Sequence, residues 1–150
     1  MRTIWWDMDG TIADLYAIEN WLPKLQEEDA SPYSEAGVMW NMSQLARLMN
    51  QVQLMGYKLG IISWKARNCS EAYGNAITEA KLGWLKKHLA SVKWDSICVV
   101  NYGTPKSLVM TTEDDILFDD EERNRNEWLG EAYEPNMMIT VLKALLGRCW

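Results

Sequence analysis

Two aspartates stand two residues apart at Asp7 and Asp9, a hydroxyl follows at Ser63, a lysine at Lys106, and a second acidic pair closes the set at Asp119 and Asp120. Four carboxylates gathered in one place repel one another and resist ionising together unless a divalent cation sits among them. Few, hard oxygen ligands with water completing the shell suit Mg²⁺, with Asp7, Asp9, Asp119 and Asp120 as its candidate ligands. Near such a cation a carboxylate can attack phosphorus and form an aspartyl-phosphate, which divides one difficult hydrolysis into two easier steps. Asp7 suits the nucleophile, and Asp9 can protonate the leaving oxygen and later deprotonate water. Lys106 would offset charge on the transferring group. The Ser63 hydroxyl, with Gly10, Thr11 and backbone N–H groups around Met8 to Gly10, would cradle the phosphate.

These residues are useful only if strands bring them to one edge, and the apolar runs that precede them supply the strands. Thr3 to Trp6 is a short β-branched and aromatic run that stops at Asp7, and the turn-forming Asp9-Gly10-Thr11 follows. Further runs at Tyr57 to Ile62, Ile97 to Val100 and Ile116 to Phe118 end at or just before Ser63, the Lys106 segment and Asp119. Helical spacing is expected from Ile12 to about Glu28, interrupted by Pro23, and again from a cap at Ser43 through Met55, ended by Gly56. It recurs from Ser70 to Leu89, over Asn124 to Leu129 and over Met137 to Leu146, with a short helical turn at Pro105 to Val109. Residues 26–37 are expected to form a polar loop. Strands alternating with helices predict an α/β fold with a mainly parallel sheet covered on both faces. In such sheets ligands bind beyond the carboxyl ends of the strands, where the candidate residues fall.

The ordered segments DMDGT at Asp7 to Thr11, IIS at Ile61 to Ser63, Lys106, and LFDD at Leu117 to Asp120 resemble the four motifs of the haloacid dehalogenase superfamily of phosphatases. The resemblance implies a Rossmann-like fold with Asp7 as nucleophile and Asp9 as acid/base with its carbonyl on Mg²⁺. It places Ser63 and Lys106 on phosphate, and Asp119 and Asp120 on the metal. DMDGTIAD, GWLKKHL and DDILFDDEERN are further similar to the cytosolic 5′(3′)-deoxyribonucleotidases, which implies a nucleoside monophosphate as substrate. Those enzymes carry a helical cap after the first motif, and here about residues 14–41 are available for a reduced one. They also place an acid four residues past the metal-binding aspartate, where this chain has Arg123.

Composition narrows the function classes. At 150 residues, 48% hydrophobic and 24% charged, the chain has the size and mixture of one globular domain. A net charge of -6 opposes binding to a nucleic-acid polymer, which needs a basic stripe against the phosphates. Cys69, Cys98 and Cys149 show neither an even count nor zinc spacing, so a reducing cytoplasm is expected, and no run approaches a membrane span. Nine tryptophans fill a core or line an aromatic pocket; Tyr16, Trp21, Tyr33 and Trp40 fall in or beside the lid segment. Lys65 and Arg67 either touch substrate phosphate or are surface charges, and His88 reads as structural. Competing readings are a receiver-like phosphoacceptor, a catalytically inactive binding protein of the same fold, a polynucleotide 3′-phosphatase and a small-metabolite phosphatase. Receivers carry their acidic pair first and the phosphoacceptor later, the reverse of the order here.

Overall fold

The computed structural model describes residues 2–147; Cys149 lies outside them. Five parallel strands form the central sheet in the order β5-β4-β1-β6-β7: β1 (Thr3–Trp6), β4 (Lys58–Trp64), β5 (Ser96–Val100), β6 (Ile116–Phe118) and β7 (Glu131–Tyr133). Pairs such as Trp6 with Ile61 and Trp6 with Phe118 fix the register about β1, the middle strand. The chain leaves β1 for β4 and β5 on one side, then returns across it to β6 and β7. That reversal opens a crevice beyond the carboxyl end of β1.

Side-chain alternation along the strands builds a core on each face. Ile4, Trp6, Leu59, Ile61, Ile116 and Phe118 point to one face and pack with Leu45, Leu48, Met49 and Val52 of helix α3 (Met42–Leu54). Trp84 and Leu85 of α4 (Glu71–His88) and Val141 and Leu142 of α6 (Met138–Leu145) complete that cluster. Trp5, Ile62 and Leu117 point the other way, where Trp128, Val109 and Met110 cover them. Gly60 makes room there, since a Cβ on it would collide with the Trp5 indole.

The long helices are governed by their caps. Ser70, where the expected helical stretch begins, accepts from the Tyr73 N–H at 3.1 Å and caps α4. At the start of α3 the cap is Asn41, whose Oδ1 accepts from the Gln44 N–H at 3.0 Å, rather than the expected Ser43. Both residue types cap well, and backbone conformation decides between them: Asn41 is extended (φ -69°, ψ 103°), whereas Ser43 is already helical.

The segment after β1 departs most from expectation. Ile12 to Glu28 does not form one helix, because the Met8 carbonyl gathers the N–H groups of Thr11, Ile12 and Ala13 into a tight turn. Ala13 then pairs with Val38, joining β2 (Ala13–Asp14) to β3 (Gly37–Val38) in an antiparallel ribbon. Between them lie a 3-10 turn at Leu15–Ala17 and the helices α1 (Trp21–Gln26) and α2 (Ser31–Glu35). Pro23 and Pro32 both sit in first turns, where the missing N–H costs nothing. Residues 26–37 thus contain a helix, not only a loop, and α2 packs on α4 through Tyr33, Tyr73 and Ile77. The last helix of the site region, α5, spans Glu122–Glu127, slightly ahead of its expected range.

Candidate active site

β1 is fully buried, and Asp7 follows it directly, its N–H donating to the Phe118 carbonyl at 3.0 Å. Asp119 follows β6 in the same way, with its N–H on the Tyr133 carbonyl. Parallel pairing of β1 with β6 therefore places Asp7 beside Asp119 and Asp120. One carboxylate oxygen from each of the three lies within 4.8 Å of the other two. Ser63 is fully buried near the carboxyl end of β4, and Lys106 opens the 3-10 turn Lys106–Val109 after β5.

Buried among the acids, Lys106 Nζ bonds to Asp7 Oδ1 at 2.8 Å and to Asp119 Oδ2 at 2.7 Å. Burial alone would discharge this ammonium, but Asp7 and Asp119 outweigh it and hold Lys106 above its ordinary pKa, so it stays charged. Asp119 is raised to about 6, first by burial and then by the Asp7 charge, against the opposing pull of Lys106. Asp120 is raised to about 8 by burial and by Asp7. Asp7 and Asp119 share the Lys106 ammonium with Asp120 close beside them, and that excess of oxygen ligands over positive charge is the donor set a hard divalent ion satisfies. Asp7, Asp119 and Asp120 therefore fit Mg²⁺.

Asp9 stands outside that trio: its Oδ2 is paired to Lys81 Nζ at 3.0 Å, so the four acids do not form one carboxylate cluster. Burial pushes Asp9 up, and Lys81 opposes the shift. Gly10 adopts φ +77°, where a Cβ would collide with the Asp120 carboxylate and the Tyr16 ring. Its N–H is committed to the Ala13 carbonyl at 2.9 Å, so it shapes the turn and offers no N–H to a phosphate. Thr11 is fully buried, with its hydroxyl 3.1 Å from Asp7 Oδ2 and 3.4 Å from Asp120 Oδ1. It steadies the acids rather than facing a ligand.

Several site residues carried no signal in the linear pattern. Lys81 lies mid-helix in α4, one turn from the buried Ile77 and Leu85, and it is only 1% exposed although lysine is a residue type that ordinarily stays in water. Asn124 donates to Asp119 Oδ2 at 3.2 Å, and the Glu121 N–H donates to Asp119 Oδ1 at 2.9 Å, together fixing that carboxylate. Asn124 lies one residue beyond the place held by Arg123, which faces away to pair with Glu127.

The acids open into a cavity of about 750 Å³ lined by Tyr16, Trp21, Tyr33, Trp64, Tyr102 and Arg67, among others. Tyr16 and Trp21 meet edge-on with centroids 4.9 Å apart, and Trp64 and Tyr102 form a second aromatic pair at 4.9 Å. Trp64 donates its indole N–H to the Thr104 carbonyl, so only its ring is offered to the cavity. Trp40 donates to the Thr11 carbonyl and Trp84 to the Ala36 carbonyl, serving as packing. His88 stacks on Trp84, away from the cavity.

The five-stranded parallel sheet flanked by helices defines an α/β molecule of the Rossmann-like type. A crystal structure of D,D-heptose 1,7-bisphosphate phosphatase from Burkholderia thailandensis superposes with a TM-score of 0.59 at 12% identity, over 99% of this chain and 100% of that one. No protein-family model matches the chain, and no curated protein matches its sequence. Among the described residues no helix is long and apolar enough to cross a membrane.

Proposed function

We propose that this chain is a Mg²⁺-dependent phosphomonoesterase of the haloacid dehalogenase type, with a nucleoside monophosphate as substrate. The observation that carries the reading is the convergence of Asp7, Asp119, Asp120 and Lys106 at one crevice, within ion-pair and metal-ligand range. Asp9 and Ser63 flank them, tied to one another through Lys81. Mg²⁺, held by Asp7, Asp119 and Asp120 with the Asp9 carbonyl, would supply charge neutralisation at the phosphoryl group.

Asp7 attacks phosphorus with a carboxylate oxygen as the bond to the leaving oxygen breaks, and Asp9 gives that oxygen its proton. Asp9 then takes a proton from water, whose oxygen attacks phosphorus. The Asp7–phosphate bond breaks, inorganic phosphate leaves, and both aspartates return to their starting states. Lys106 stays charged throughout and offsets the charge that builds on the phosphoryl oxygens, while Ser63 donates to one of them. The two aromatic pairs would hold the base by stacking, and residues 14–41 would act as a reduced cap over it. With Cys69 and Cys98 both free, the reading places the protein in the cytoplasm.

Lys65 and Arg67, which also line the cavity, favour one second reading: a metabolite with a further phosphate, the chemistry named for the superposed heptose bisphosphate phosphatase. Phosphate release from nucleoside monophosphates, sugar mono- and bisphosphates and p-nitrophenyl phosphate separates the two. Activity is expected only with Mg²⁺, and Asp7→Asn should lower it by on the order of 10⁴-fold or more, the scale for removing a covalent nucleophile. Mg²⁺-independent turnover, or turnover that survives Asp7→Asn, would overturn the mechanism.

A further inference from the structure

Lys81 presents three donors and no acceptor, and all three are committed: to Asp9 Oδ2 at 3.0 Å, Ser63 Oγ at 2.6 Å and the Trp64 carbonyl at 2.8 Å. Its Nζ also lies 4.9 Å from the centre of the buried Tyr33 ring, which favours the cation from a fourth side. An ammonium removed from water is costly unless its partners replace that hydration, which is why buried lysines are rare. A leucine at this point of α4 would join Tyr73, Ile77 and Leu85 in packing without that cost. The contacts of the charge are two side chains at the ends of β1 and β4 and one strand-end carbonyl.

Hydrogen-bond direction makes the arrangement specific. Because an ammonium only donates, Ser63 Oγ must accept from it, and the Ser63 hydroxyl hydrogen is turned away from Lys81. It is thereby available to a phosphoryl oxygen. Held by Oδ2, the Asp9 carboxylate has Oδ1 left to pass its proton to a leaving oxygen and to receive one from water. We propose that Lys81 is a positioning residue that fixes the Asp9 carboxylate and turns the Ser63 hydroxyl toward the phosphate, an inference that rests on the phosphomonoesterase reading above.

The test compares wild type, Lys81→Met, Lys81→Arg, Asp9→Asn and the Asp9→Asn/Lys81→Met double variant, on p-nitrophenyl phosphate and on an alkyl phosphate the wild type hydrolyses. The alkyl leaving group needs a proton and the nitrophenolate does not. Lys81→Met should therefore lower kcat by about 10- to 100-fold on the alkyl ester, within the range of acid–base catalysis, and by clearly less on p-nitrophenyl phosphate. In the Asp9→Asn background the same change should cost less than about threefold, since two groups acting as a unit are not additive. Lys81→Arg, which also donates to two acceptors, should restore part of the loss.

Calorimetry with inorganic phosphate and Mg²⁺ reads the Ser63 arm without turnover. Binding should weaken about tenfold in Lys81→Met and no further when that change is added to Ser63→Ala, the size of one lost charge-assisted contact. Equal losses on both esters and in both backgrounds would overturn the proposal, as would no loss in a folded variant. If Lys81→Met does not fold, Lys81→Gln serves the same comparison, and failure of both to fold would assign Lys81 to structure alone. Wild-type protein that hydrolyses nothing yet binds phosphate in a Lys81-dependent way would sink the catalytic reading and keep the positioning role.

Discussion

Asp115 shows how one side chain can set the geometry of a site it does not enter. It is fully buried one residue before β6, and its carboxylate accepts from the Thr3 N–H at 3.0 Å, the Trp5 indole at 3.0 Å, and the Thr111 N–H at 2.7 Å. It thereby ties the start of β6 to β1, the two strands that end in Asp119 and Asp7. Burial pushes this carboxyl up, but the donors outweigh burial and hold it below the usual range. A lowered folded pKa contributes stability that is complete above the ordinary carboxylate value of about 3.9 and is lost as pH falls to the folded value. Asp115→Asn is expected to cost about 1–3 kcal/mol at pH 7, and the gap between variant and wild type should close in acid. Urea unfolding of both proteins at pH 7 and near pH 3 checks the size and the sign.

At the scale of the element, α4 links the segment between β1 and α3 to the site. Its N-terminus is held twice: Ser70 caps the first turn, and Glu28 accepts from both the Ser70 N–H and hydroxyl at 2.9 Å. The Tyr73 hydroxyl donates to the Asp29 carbonyl at 2.8 Å, further joining α4 to the segment between α1 and α2. Lower on the same helix sit Ile77 and then Lys81, on the face that also carries Tyr73. Ser70→Ala should lower stability by about 1 kcal/mol, the usual worth of a serine cap, and should speed amide exchange in the first turn of α4 while leaving α3 unchanged. Denaturant melts and hydrogen exchange measure the two effects separately.

For the whole molecule, the balance of charge at the crevice predicts coupling between metal and fold. Asp119 and Asp120 are held above their ordinary values by burial and by the Asp7 charge, a strain that a divalent cation relieves. Mg²⁺ at about 100 times its Kd should add roughly 2.7 kcal/mol to unfolding free energy, seen as a rise in Tm. Asp119→Asn should abolish that rise. EDTA should abolish phosphate release from wild type, while the metal-free chain stays folded, because both cores are built from apolar side chains that need no metal to pack.

What the sequence determined by itself was the set of strand-end groups and the strands behind them. Thr3 to Trp6, the Leu59 to Ile62 run ending at Ser63, and Ile116 to Phe118 are buried and mainly apolar, and their direction in a parallel sheet forces Asp7, Ser63 and Asp119 to one edge. Local pattern also placed the start of α4 at Ser70, though the cap it named for α3, Ser43, lies two residues past the true one, Asn41. β7 (Glu131–Tyr133) escaped notice because three residues with one acidic and one small member carry no strand signal until β6 is there to pair with them. The Ile12 to Glu28 helix failed for the converse reason: apolar spacing was right, but a distant partner, Val38, and the Met8 carbonyl took the backbone groups a helix would have used. Only tertiary structure separated Asp9 from the other acids, since its partner Lys81 is 72 residues away. The same holds for Asp115 and Thr3, 112 residues apart. Residue type sets what a group can do, and the neighbours that fix its charge and direction come from parts of the chain that local pattern does not reach.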